Sequence, residues 1–357
     1  MEIQMKKMLS AACSLLFLLI TTTTLWAQIA GAPPPFDGSK KLKVALVQLL
    51  VEGEFMQTFR SGAKRQAEML GMEFLALNTK NADNKAQADA VDRAISLGVD
   101  AILLSHGRPE TMREPIQRAL AKGIKVVAFD IYFEDLTNIV THMAQDDVLL
   151  GQMALDALVA DFNGQANVGY IYIPGVLPLD KRDTSFTKVK QEYPGIKEIA
   201  RHGSLESPIS TKNADQVKAT MQANRNINAY FAPYDEFAKG VVIALRELNM
   251  SDKVKVYSAD ISTVDIRQMT QDGSPWAATA ATNPAAIGAT GIRALAMKLT
   301  GEWLPQEITI PPMLFTQKML RDNNVQRFND LFEKFPEFNT VDRASATWIP
   351  RDSSGKF

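Results

Sequence analysis

From Lys41 to Leu77 the chain reads KLKVALVQLLVEGEFMQTFRSGAKRQAEMLGMEFLAL. An apolar run, Leu42 to Leu50, leads through a short turn at Gly53 into a stretch with helical spacing. The apolar positions there are Phe55, Met56, Phe59, Ala63, Ala67 and Leu70, and Gly71 ends the pattern before a second apolar run from Met72. Strand, helix and strand in so short a length predict a parallel crossover unit. A sheet built from such units binds ligands beyond the carboxyl ends of its strands. The residues just after each strand are therefore the first candidates for function.

The unit recurs. Lys85–Leu97 and Thr111–Ala121 have helical spacing, each followed by a glycine suited to a left-handed cap, and Ala101–Leu104 and Lys125–Phe129 read as strands. A second series runs from Asp147 to Leu299. Its expected strands are 168–173, 196–200, 229–231, 254–257 and 276–280, with helices between them, the last opened by Asn283-Pro284. Strands apolar on both faces belong to parallel sheets covered by helices on both sides. So many strands at this spacing fit two similar lobes better than one open sheet. Residues 321–357 are less regular, with Phe328, Leu331, Phe332, Phe335 and Phe338 spaced to cover a lobe.

With 357 residues, 46% apolar and 22% charged, the chain suffices for two globular domains. A formal net charge of −1 gives no basic face for nucleic acid. Lys6 and Lys7 precede an apolar run from Met8 to Ile20, and residues 1–27 read as a cleaved secretory signal. Residues 28–40, with three consecutive prolines, read as a flexible leader. Cys13 is the single cysteine, so the expected mature chain has no disulfide, thiolate or cysteine metal site. The three histidines are far apart and have no metal spacing. Neither a nucleophile elbow nor a phosphate-binding loop is present, so no catalytic residue, metal or cofactor is assigned.

Several segments together carry a family resemblance: VALVQLLVEGEFMQTFRSGAKRQAEMLGM, ISLGVDAILLS followed by AKGIKVVAFD, THMAQDDVLLGQMALDAL, AYFAPYDEFAKGVVIAL and NPAAIGATGIRALAMKLTGE. In this order and spacing, from about Leu42 to Pro305, the chain resembles the ribose- and galactose-type periplasmic binding proteins, the soluble receptors of sugar ABC importers. The resemblance implies an α/β protein of two Rossmann-like lobes, each a parallel sheet flanked by helices, joined by a three-strand hinge. By analogy the N-terminal lobe is 42–129 plus 283–310, and the C-terminal lobe is 130–282 plus 311–320. Residues 321–357 form an extension, and the crossings lie near Asp130, Thr282 and Pro311.

The resemblance also implies a monomeric, non-enzymatic receptor in the periplasm. It would capture a small carbohydrate or polyol between its lobes and deliver it to a membrane permease. The alternative is the same module presenting a sugar-like signal to a sensor kinase or chemoreceptor. By resemblance, Phe55 stacks on a sugar ring or is the first core residue of its helix. Arg182 donates to ligand oxygens or is a solvated charge at a helix start. Asp260 accepts from two sugar hydroxyls. Asp130 touches the ligand or ties the crossover, and Asp235 joins the ligand set or caps the following helix. Departures from the family pattern are Gly53-Glu54-Phe55 for Asn-Pro-Phe, Ser105-His106-Gly107-Arg108 after the third strand, Tyr234 for an asparagine and Thr282 for a glutamine. Glu52, Glu54, His106, Arg108, Tyr234 and Thr282 are thus available for an unusual polyol or modified sugar.

Overall fold

A computed structural model describes residues 29–77, 80–339 and 343–351, so the expected signal, 1–27, lies outside the described residues. The first series comprises β1 (Lys43–Gln48), α1 (Glu54–Met69), β2 (Glu73–Ala76), α2 (Asn84–Ser96), β3 (Ala101–Ser105), α3 (Pro109–Ala121), β4 (Lys125–Phe129) and β5 (Thr141–Gln145). The second comprises α4 (Asp147–Asp161), β6 (Ala166–Ile171), α5 (Leu177–Glu192), β7 (Ile196–His202), α6 (Ile209–Ala223), β8 (Ala229–Ala232), α7 (Asp235–Glu247), β9 (Lys255–Ala259), α8 (Thr263–Thr270) and β10 (Trp276–Ala281). The chain returns through α9 (Pro284–Thr300), β11 (Glu307–Ile310), β12 (Met313–Thr316), α10 (Gln317–Asp322) and α11 (Asp330–Lys334).

Two six-stranded sheets result, in the orders β11-β5-β4-β3-β1-β2 and β12-β10-β9-β8-β6-β7. Every strand pairing is parallel except β10 with β12. Each sheet is buried on both faces, which is why its central strands are continuously apolar. The two-lobed α/β architecture expected from the sequence is therefore the one observed.

The passage between lobes differs from the expected one. The segment Thr141–Gln145 pairs with β4 and β11, so the chain leaves the first sheet at Asp146 and not at Asp130. Its sequence, THMAQ, has too few apolar residues to read as a buried strand, although four of its five residues are buried. The later crossings run through Thr282, between β10 and α9, and through Pro311 and Pro312, between β11 and β12.

The two termini depart from expectation as well. The described part of the expected flexible leader lies on the first lobe: Phe36 is 3% exposed, with its ring 5.1 Å from that of Trp348 in a tilted arrangement. Apolar groups from both ends of the chain thus cover each other. The extension joins both lobes. Val325, Leu331, Phe335 and Phe338 enter the second lobe's core, while Trp348 and Ile349 enter the first. The β1–α1 turn at the cleft is held from behind by close packing of α1 on α9. A Cβ on Gly288 would lie 2.1 Å from the Phe59 carbonyl oxygen.

Candidate functional site

Three residues that directly follow strands have left-handed backbones although none is glycine. These are His106 after β3 (φ 59), Asp130 after β4 (φ 54) and Asp260 after β9 (φ 71). Such conformations cost about 1–3 kcal/mol each and persist where surrounding structure enforces them. They turn polar side chains into the space between the lobes, at the carboxyl edge of each sheet.

On the first lobe these groups form a chain. Ser105 Oγ lies 2.9 Å from His106 Nδ1, and His106 Nε2 lies 3.5 Å from Asp130 Oδ2. Gln145 Nε2 donates to the same oxygen at 3.5 Å, and Thr282 Oγ1 donates to Gln145 Oε1 at 2.5 Å. Gln145 and Thr282 stand on two of the three crossings, so the chain ties the hinge to the site. Burial, reinforced by the Arg182 charge, holds His106 down at about 3, so its ring is neutral. Burial, with the Asp147 charge, pushes the Asp130 carboxyl well above its ordinary value.

The second lobe supplies the charge. Arg182, on α5, is 2% exposed. Its Nε donates to Asp147 Oδ1 at 3.0 Å, Nη2 forms an ion pair with the same oxygen at 2.9 Å, and Nη1 donates to the Pro233 carbonyl at 2.6 Å. Asp260 Oδ2 lies 3.8 Å from the same guanidinium. Burial pushes Asp260 up to about 7, against the pull of Arg182. Asp130 Oδ1, Asp147 Oδ2 and Asp260 Oδ1 are buried with no hydrogen-bond donor among the described residues. Buried carboxylate oxygens without donors are costly, and a ligand hydroxyl or amine relieves that cost.

A narrow cavity of about 30 Å³ lies between the closed lobes. Its polar wall is His106, Gln145, Arg182, Tyr234 and Asp260. Its apolar wall includes Leu50, Phe55, Met56, Leu179, Leu205 and Phe237. An open hollow lined by Tyr132, His142, Asp147 and Lys181 adjoins it at Gln145. Among the described residues, no group of three His, Cys, Asp or Glu could hold a metal ion, and no helix could cross a membrane.

The structure thus brings Phe55, His106, Arg182, Tyr234 and Asp260 to the cavity, with Asp130 and Thr282 linked to its wall. Phe55 belongs to the core of its lobe as well. Three other sequence candidates have different partners. Glu54 Oε2 accepts from the Val264 N–H across the cleft at 3.5 Å. Arg108 Nη2 donates to the Pro174 carbonyl across the cleft at 3.4 Å. Asp235 starts α7, accepting from the Glu236 N–H at 2.9 Å and from Lys239 Nζ at 3.0 Å. In the closed form Glu54 and Arg108 thus bridge to the opposite lobe, and Asp235 pairs with Lys239 in the first turn of α7. Gln145, Leu50, Met56, Leu179, Leu205 and Phe237 were not foreseen. Gln145 ends the unrecognised strand β5, so a strand assignment there would have exposed it.

The model of the periplasmic binding protein domain matches residues 44–302. The chain belongs to the periplasmic binding protein family. Membership in a family of binding proteins agrees with the reading of a receptor and not an enzyme. This binding protein is 37% identical to the 5-methylthioribose transporter solute binding protein of Thermotoga lettingae, solved with 5-methylthioribose. That match covers 86% of this chain and 97% of the other, with a TM-score of 0.83. It is 28% identical to a sugar ABC transporter protein of Yersinia enterocolitica, covering 90% of this chain and 98% of that one, with a TM-score of 0.86. The ribose import binding protein of Bacillus subtilis is 27% identical over 316 residues, which is 88% of this chain and 100% of the relative.

Proposed function

We propose that this binding protein captures a small sugar carrying an apolar substituent, of the 5-methylthioribose kind, and delivers it to the membrane permease of an ABC importer. One observation carries the reading. A single cavity is lined by Arg182 and Asp260, whose Oδ1 has no donor among the described residues, together with Leu50, Met56, Leu179, Leu205 and Phe237. A sugar with hydroxyls all round would leave that apolar wall unmatched, whereas a thioether or alkyl group would be buried there. Burial of apolar surface favours binding by about 25 cal/mol per Å². The likeness to a 5-methylthioribose-binding relative over most of both chains supports the same class.

Capture works by closure. Side chains from both lobes reach the cavity, so only the closed form makes the full set of contacts, and a ligand shifts the population by that difference. The protein acts as an exported monomer, directed by a signal segment in residues 1–27, and its closed form docks on the permease.

Thermal unfolding of the mature protein against 5-methylthioribose, ribose, xylose, allose and xylitol tests this reading. A ligand at a hundredfold excess over its dissociation constant adds about 2.7 kcal/mol of stability. The expected result is an upward shift with 5-methylthioribose larger than that with any unsubstituted sugar. No shift with any of them contradicts the reading.

A further inference from the structure

We propose that Glu52 is a latch that holds the lobes closed over the apolar wall of the cavity. The inference rests on the capture reading above, but its evidence is the geometry across the cleft. Glu52 precedes α1 on the first lobe. Its carboxylate accepts from the Ser207 hydroxyl and, at 2.8 Å, from the Ile209 N–H, both on the second lobe. Ile209 is the first residue of α6, whose N-cap is Pro208 and which has no side-chain cap of its own. The first N–H groups of a helix need acceptors and favour negative charge. Closure gives α6 the cap that its own sequence lacks.

The rest of Glu52 is gripped as well. Its carbonyl accepts from the Tyr234 hydroxyl at 3.1 Å. Asn81, on the first lobe, accepts from the Val51 N–H at 3.0 Å and donates to the Leu205 carbonyl at 3.2 Å. Gly53, beside it, has φ 94, and a Cβ there would lie 2.6 Å from the Tyr234 hydroxyl oxygen. Only glycine lets the turn approach so closely. The latch therefore fixes the β7–α6 loop, residues 203–208, against the β1–α1 turn. Leu205 on that loop packs against the cores of both lobes and lines the cavity. Glu52 does not itself line the cavity, and meets its wall only through the carbonyl that accepts from Tyr234. It is a positioning residue that keeps Leu205 seated.

The test separates the latch from the ligand. Paramagnetic labels at Lys64→Cys on α1 and Arg267→Cys on α8, both exposed, report the distance between the lobes. The one native cysteine, Cys13, lies in the expected signal. In ligand-free protein, Glu52→Ala is expected to move the distance distribution toward longer values, with Glu52→Gln between it and the parent. In the same proteins, dissociation of 5-methylthioribose is expected to quicken about tenfold in Glu52→Ala, the loss that one charged hydrogen-bond pair implies. Ser207→Ala is expected to quicken it less and to add nothing when combined with Glu52→Ala. Unchanged distances in Glu52→Ala, or additive effects of the two substitutions, would overturn the latch. A shifted distribution in a protein that binds none of the sugars would sustain the latch and refute the capture reading.

Discussion

The first lobe reaches the cleft with Glu52, Glu54 and Arg108, and each of these charges meets a backbone group of the opposite lobe. The second lobe turns Arg182, Asp147 and Asp260 inward and pairs them with one another. The difference follows from what each charge meets when the lobes part. A rim charge returns to water, so it needs no partner on its own lobe. A buried charge cannot wait for closure, because leaving it unpaired in a dry interior costs several kcal/mol. The second lobe is therefore organised before the ligand arrives, while the first contributes its charges only as closure proceeds.

Arg182→Ala strains this contrast most. It leaves Asp147 and Asp260 buried without their cation, a change that typically destabilises by about 3–5 kcal/mol. Urea unfolding of the ligand-free protein should show a loss of that order, together with loss of sugar binding. A ligand-free stability like that of the parent would mean that the second lobe is not organised in advance.

The next test is the pH response of Asp260. Burial holds its carboxyl up to about 7 in the folded protein, against an ordinary 3.8. Between those values the folded protein binds a proton that the unfolded chain releases. This group therefore lowers stability above pH 7, and the penalty lifts as the pH falls toward 4. His106, held at about 3, works in the opposite direction below 6.5. The difference between parent and Asp260→Asn isolates the aspartate: the variant should be the more stable one at about pH 8, with the gap narrowing toward about pH 5. A gap that does not change with pH would place the Asp260 carboxyl at an ordinary value.

The smallest effect belongs to the rim. Arg108→Ala removes one long hydrogen bond at an exposed side chain, and thermal unfolding should move by less than about 1 kcal/mol. A larger loss would mean that the first lobe's rim is part of its own architecture and not only of closure.

Much of this organisation was legible in the sequence because strands apolar on both faces announce buried parallel sheets. The positions just after them then announce the cleft, where the family resemblance pointed to Asp130 and Asp260 and a departure from its pattern to His106. The strand β5 was not legible, since THMAQ buries its residues under neighbouring strands and loops without an apolar pattern. Its loss moved the expected crossing to Asp130 and hid Gln145. Glu54 and Arg108 were named as candidates because they stand where the sequence departs from the family pattern at the cleft edge. Which partner such a long side chain finds depends on where the other lobe stops, and no local pattern encodes that. Leu205 was hidden for the same reason, as a loop residue whose burial exists only between two cores.

Calorimetric titration of the mature protein with 5-methylthioribose and with ribose, side by side, tests the central claim most directly. The apolar wall predicts tighter binding of 5-methylthioribose by about tenfold or more, near the 1.4 kcal/mol that burying a methylthio group supplies at least. Equal affinity, or tighter binding of ribose, would contradict the assignment of that wall to an apolar substituent.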